Sequence, residues 1–214
     1  MGSSKKKFVS NSQDSVRMFK SDFLEAFSKV HYTVPLYIFI PVIGYCIYRS
    51  VHTDLLLWQY PLVALAGIFI WTLVEYVMHR YVFHFELPGK WGARLHFVIH
   101  GVHHDYPSDR MRLVMPPSLS IPLALLFFFL FKWLIPDVYL WMFFATFLVG
   151  YLFYDIGHYA MHHFNFKSGF FKRIKQHHML HHYQDPDKGF GVSSPLWDVI
   201  IGSVFNKKDS APKL

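Results

Sequence analysis

Two stretches of this chain repeat one histidine pattern, H-x-x-H-H: His100, His103 and His104, then His178, His181 and His182. On a helix, residues three and four apart share a face, so each stretch presents three imidazoles on one side. His158 and His162 present two more in the same way. His79 and His84, five apart, could converge if their helix ends between them. Ten nitrogen donors are too many for one ion and suit two. Neutral imidazole binds zinc, iron, copper or nickel, so residue type alone leaves the metal open. One isolated histidine at a headgroup interface is usually an ordinary polar residue; two H-x-x-H-H copies with two further pairs point to a metal centre.

The remaining histidines carry less. His31 and His52 stand alone, while His96, His163 and His177 adjoin the groups as neighbours or as partners that orient the ligands. Glu75 and Asp155 come about one helical turn before histidine groups. A carboxylate at the end of an apolar span usually has a partner, so each is expected either to hydrogen-bond a ligand histidine or to stand as an interfacial charge in water. On the first expectation, a neutral isostere at either position lowers metal occupancy. Tyr154 and Tyr159 are candidates for the wall of the site, or for aromatics of a membrane interface.

Something must hold these side chains together, and the composition says what. Of 214 residues, 53% are hydrophobic, 20% aromatic and only 16% charged. Soluble domains carry about 25% charged residues, so the deficit points to lipid contact. The single cysteine, Cys46, excludes an internal disulfide and a cysteine-rich metal site. Apolar runs at 32–48, 58–78, 118–135 and 138–156 are each long enough to span a bilayer. Prolines 35 and 41 suggest that the first is kinked or re-entrant.

The connections 49–57 and 136–137 are short, pairing the spans as two hairpins. The long segments 79–117 and 157–214 carry five and eight Lys or Arg, and residues 1–31 carry six. The positive-inside rule puts both termini and both histidine-rich segments on the cytoplasmic side. The net charge of +7 flanks apolar spans, which favours a membrane surface over nucleic acid. Residues 1–31, with lysines at 5–7, have no apolar core of a signal peptide and are expected to be a cytosolic tail. The expected fold is all-α and integral to the membrane, with four transmembrane helices in two hairpins. A cytosolic helical cap carries the histidine di-metal site. Residues 32–205 form this domain and 206–214 a C-terminal tail.

The chain resembles the fatty acid hydroxylase branch of the membrane-bound, histidine-motif di-iron oxygenases, and within it the fatty acid 2-hydroxylases. The resemblance runs from Glu75-Tyr-Val-Met-His79-Arg-Tyr-Val-Phe-His84 through His100-Gly-Val-His103-His104 and Arg112-Leu-Val-Met-Pro116-Pro117. It continues in Tyr154-Asp155-Ile-Gly-His158-Tyr159, His178-Met-Leu-His181-His182, Gly189-Phe-Gly191 and Leu196-Trp197-Asp198. It implies ten histidine ligands: His79, His84, His100, His103, His104, His158, His162, His178, His181 and His182. It also implies two iron ions, with zinc able to take their place in a purified protein. The reaction implied is O2-dependent hydroxylation of a fatty acid or ceramide acyl chain in sphingolipid metabolism.

Some relatives carry a haem-binding His-Pro-Gly-Gly motif in a cytochrome b5 domain; this sequence has none, so a separate donor such as a cytochrome b5 or ferredoxin system is expected. The membrane would be the endoplasmic reticulum in a eukaryote and the inner membrane in a bacterium. The same metal motif also serves sterol oxidases or desaturases and carotenoid hydroxylases. A metal-ion transporter is a more distant alternative, because transport sites sit near the bilayer midplane and these histidines sit at span ends.

Overall fold

Long apolar runs without a periodic polar face become the long helices of the computed structural model, which describes residues 8–205. The lysines at 5–7 and the expected tail 206–214 lie outside the described residues. Within them the chain is helical throughout, with nine α-helices, two π-helical segments and no strand. Helices α1 (Asp22–Ser28), α2 (Val34–Ser50) and α3 (Gln59–Val77) come first. A π-helical segment, Met78–Phe83, prolongs α3. Then follow α4 (Gly89–His96), a second π segment (Phe97–Gly101) and α5 (Val102–Asp105). The chain closes with α6 (Pro117–Leu134), α7 (Asp137–His163), α8 (Gly169–Tyr183) and α9 (Leu196–Ile201).

Among the described residues, three helices are long and apolar enough to cross a membrane: Gln59–Phe83, Pro117–Leu134 and Asp137–His163. The expected first span is α2, which at 17 residues is a shorter apolar helix. Pro35 sits in its first turn, where a missing N–H costs nothing, and Pro41 lies inside it without ending it. Pro117–Leu134 matches its apolar run within one residue, while Gln59–Phe83 and Asp137–His163 outrun theirs. The helix expected over 138–156 continues to His163, which carries His158 and His162 about two turns further.

α7 is the hub. Of its apolar window 61% is buried, against 22% for α3 and 11% for α6. The expected α2/α3 hairpin has its short connection, yet both helices lean on α7 rather than chiefly on each other. Phe39, Cys46, Trp71, Leu140, Phe147, Leu148 and Tyr151 form the core of this packing. Leu126, Phe129 and Trp133 of α6 point outward, an apolar surface suited to lipid.

Small residues allow the approach of α3 to α7. A Cβ on Gly67 would run into Thr146 Oγ1 and the Phe143 carbonyl, and one on Gly150 would lie 2.6 Å from Trp71 Cγ. Gly67→Ala is therefore expected to cost about 1–3 kcal/mol by overpacking. A melt in detergent should show a fall of roughly 2–10 °C. Gly44→Ala, with no atom within 4 Å of the new Cβ, should not lower the melting temperature; equal effects from both would contradict the packing argument.

The stretch expected as an N-terminal tail is, over residues 8–31, a folded piece of the protein. Val9 N donates to Asp105 O at 2.8 Å and Val30 N to Met111 O at 2.8 Å. Glu25 of α1 is buried against Arg112, 2.6 Å away. Burial alone would raise the Glu25 pKa, but the Phe19 and Met18 amides, Lys29 and Arg112 hold it at about 2. The sequence signal for this docking is faint, because Glu25 and Arg112 are 87 residues apart and each looks like a surface charge.

Candidate metal centre

All ten expected ligands converge, and they sort into two groups of five. His79, His84, His100, His104 and His181 form one group; His103, His158, His162, His178 and His182 form the other. Within each group the candidate ligand nitrogens all lie within 4.8 Å of one another. The two H-x-x-H-H motifs are shared reciprocally. His100 and His104, one turn apart on one face, serve the first group, while His103 turns to the second. On α8, His178 and His182 serve the second group and His181 the first. The groups adjoin, with the His104 and His182 rings stacked at 4.3 Å.

His79 and His84 meet by a different route from the expected helix end. Five residues on an α-helix are about 140° out of phase. Here the backbone widens, His84 N donating to His79 O at 3.2 Å, the i to i+5 bond of a π-helix. Their ring centroids come to 5.0 Å. A second widening at Phe97–Gly101 leads into His100, His103 and His104.

The donor set fits a metal. His79 Nδ1 faces the Phe190 carbonyl, and His181 Nδ1 faces the Lys188 carbonyl at 2.7 Å. A carbonyl only accepts, so both rings carry their proton on Nδ1 and turn a bare Nε2 inward. Yet His79 Nε2 lies 3.1 Å from His100 Nε2, and His181 Nε2 lies 3.1 Å from His84 Nε2. In the other group, His178 Nε2 is 3.0 Å from that of His162 and 3.1 Å from that of His182. His103 Nε2 and His158 Nε2 are buried with no hydrogen-bond partner. Nitrogens about 2.1 Å from a common ion and at right angles stand about 3.0 Å apart, which is this spacing.

Burial first, then the neighbouring histidines, lowers the pKa of His104 to about 3 and those of His100, His103, His178, His181 and His182 well below the usual value. At neutral pH these rings are uncharged, the form of imidazole that binds a metal.

Glu75 and Asp155 are fully enclosed, but among the described residues neither makes the expected hydrogen bond to a ligand histidine. Glu75 Oε1 accepts from Val192 N at 2.7 Å and Ser193 N at 2.8 Å, and Oε2 accepts from Ser193 Oγ. Asp155 accepts from Met115 N at 3.0 Å and Tyr151 Oη at 3.0 Å. Each carboxylate pins a loop, because buried amides need acceptors; Met115 lines the cavity at the histidines, and Val192 and Ser193 follow Phe190, whose carbonyl faces His79. Tyr154 stacks on His158 with centroids 5.9 Å apart. Tyr159 packs instead on Tyr32 and His163, at 4.5 Å from each.

The extra histidines join neither group. His177 Nε2 bonds Asp198 Oδ2 at 3.0 Å, His96 lies 3.9 Å from Glu86, His31 bonds Thr33, and His52 bonds the Tyr48 carbonyl.

Sequence reasoning missed the loop that supplies the orienting carbonyls. Asp198 accepts from Phe190 N at 2.9 Å, Gly191 N at 2.8 Å and Ser203 Oγ at 2.7 Å. Burial raises its pKa, but His177, Ser203 and Gly191 outweigh that and hold it below the ordinary value. Gly189 takes φ +72°, and a Cβ on Gly191 would collide with the Ser194 carbonyl. The signal was present in Gly189-Phe-Gly191 and Asp198, but it names no donor or acceptor.

A cavity of about 520 Å³ reaches the histidines. His100, His103 and His158 form one side, with Tyr154 and Asp155, and α1 and the start of α6 form the other. A narrow apolar slot between α3, α6 and α7 shares Phe83, Met115 and Tyr154 with it.

Apolar helices and two buried five-histidine groups define a membrane protein whose histidine clusters could each hold a metal ion. Residues 64–203 match the fatty acid hydroxylase family, and the chain belongs to that family. It is 39% identical to a dihydroceramide fatty acyl 2-hydroxylase of Arabidopsis thaliana, over 88% of this chain and 79% of that one. It is 33% identical to the fatty acid 2-hydroxylase of Homo sapiens, over 90% of this chain and 58% of that protein. A solved structure of full-length scs7p, only its hydroxylase domain visible, superposes with a TM-score of 0.82 at 35% identity, covering 89% of this chain and 72% of that one.

Proposed function

We propose that the chain is a di-iron fatty acid 2-hydroxylase of sphingolipid metabolism, acting on the acyl chain of a ceramide-type lipid. The observation that carries this reading is the 520 Å³ cavity, apolar on its α1 and α6 side and bounded by ligand histidines of both groups on the other. Its size is that of a specific ligand site. The first group of five histidines would hold one iron and the second group the other.

When bound, iron supplies the O2 activation that oxidation of an unactivated C–H bond requires, which zinc, without redox chemistry, cannot. Overall, one oxygen atom enters the C–H bond next to the acyl carbonyl and the other leaves as water. The electrons come from a donor protein such as a cytochrome b5 or a ferredoxin, with protons from solvent. The residues of the chain choose the carbon. The apolar wall sheds water from the hydrocarbon and holds it in register. The Tyr154 hydroxyl, without a hydrogen-bond partner among the described residues, is free to donate to the acyl carbonyl. That contact would fix C2 beside the histidines. Asp155 keeps the wall at Met115 in place, and Glu75 holds Val192 and Ser193, next to the Phe190 carbonyl that faces His79.

The four-span reading keeps α2 as the fourth crossing, and the Lys and Arg distribution supports a cytoplasmic cap and cytoplasmic termini. A ceramide deuterated at both C2 positions tests the carbon assignment. The expected product carries a C2 hydroxyl and has lost one of its two deuteriums. A hydroxyl elsewhere with both deuteriums retained would overturn the assignment, and oxidation confined to sterols or carotenoids would move the chain to another branch of the superfamily.

A further inference from the structure

We infer that helix α1 is the entry wall for the lipid substrate, with Phe23, Leu24 and Phe27 holding its hydrocarbon as it passes from the membrane to the histidines. The inference rests on the acyl-lipid reading of the cavity. α1 precedes the residues matched by the family, which begin at 64.

Phe23 and Phe27 are 70% and 54% exposed, so the fold does not need them as core. Both nevertheless line the cavity, as do Phe19 and Leu24. Positions 23 and 27 are one helical turn apart, so they form a single aromatic edge; their rings lie 4.8 Å apart. Exposed apolar side chains at the mouth of an apolar cavity, which Leu119 in the first turn of α6 also lines, match a hydrocarbon and nothing polar.

The wall is also fastened in place. Arg112, 3% exposed, binds Glu25 at 2.6 Å, Ser28 Oγ at 2.8 Å and the Val16 carbonyl. Asp109 stands 3.4 Å from the same guanidinium and accepts from Ser15 Oγ. Arg112 belongs to the loop whose Leu113, Val114 and Met115 form the adjacent wall. One buried arginine thus fixes the two walls of the entrance relative to each other.

The test uses the full-length, metal-loaded protein in phosphatidylcholine nanodiscs and a ceramide with a diazirine in its acyl chain. Irradiation is expected to label the peptide containing Phe23 and Phe27 and the peptide 113–119. Unlabelled ceramide should suppress both labels, and added phosphatidylcholine should not. Phe23→Ala/Phe27→Ala should lose the competed label and raise KM about tenfold or more. Its kcat should change less than its KM, the pattern of lost uniform binding. An unlabelled α1, or labelling that phosphatidylcholine suppresses equally, would overturn the inference. Unchanged KM in the double variant would overturn it as well. Competed labelling of α1 in a protein that forms no hydroxylated acyl product would leave the entry wall standing and remove the hydroxylase reading. Hydroxylation without competed labelling of α1 would do the reverse.

Discussion

On the proposed two-iron reading, alanine at both His100 and His104 is expected to reduce bound metal from two ions per chain to one and to abolish hydroxylation. These two ligands stand on one helical face and belong to one group of five, so that site loses two direct donors while the other keeps all of its own. His178→Ala/His182→Ala should give the mirror result, emptying the second site. Removing outer partners of a metal ligand typically costs 10–100-fold, so losing two direct ligands should exceed about 100-fold in activity. The informative contrast is His103→Ala/His104→Ala, which takes one ligand from each group. It should weaken both sites together rather than empty one. Metal analysis after stepwise chelation separates these outcomes. One tight ion surviving in the His103/His104 variant, or none in the His100/His104 variant, would contradict the sorting of ligands.

Truncation of Glu75 is the second large effect expected. Glu75→Ala strips the acceptor from two buried amides, Val192 N and Ser193 N. Each unpaired buried donor costs about 1–3 kcal/mol, so the variant should lose roughly 2–6 kcal/mol of local stability. The loop concerned begins beside Phe190, whose carbonyl orients His79, so metal should leave the first group preferentially. Glu75→Gln should be much milder. Its amide oxygen can accept from both N–H groups, and the Ser193 hydroxyl can turn to accept from the new NH2. Melting temperature and metal content together read the result. A glutamine variant as damaged as the alanine one would mean that the negative charge matters, as a direct partnership with a histidine requires.

This contrast marks how far the sequence could be read. A carboxylate at the end of an apolar span does need a partner, and both Glu75 and Asp155 have one. The partners are backbone amides of loops about 117 and 40 residues away, which spacing cannot reveal. The histidine motifs were legible because three- and four-residue spacing fixes a helical face locally. Their division between two groups was not, since His100 and His103 separate only once α8 and the end of α7 pack against them. The π-helical widening at His79 is likewise set by what the ring must reach rather than by local propensity. α1 was hidden for the opposite reason: Glu25 and Arg112 pass for solvated charges until the fold buries them together. The long helices were legible from apolar length, whereas the leaning of α3 on α7 depends on close approaches at Gly67 and Gly150.

The most direct test of the oxygenase assignment is mass spectrometry of the acyl product formed under 18O2 by iron-loaded protein in nanodiscs, with ceramide and a reduced donor protein. A 2-hydroxy acyl chain carrying one 18O atom is expected, and it should be absent with His181→Ala/His182→Ala. No labelled acyl product from folded, iron-loaded, reduced protein, or a hydroxyl oxygen drawn from water, would contradict the assignment.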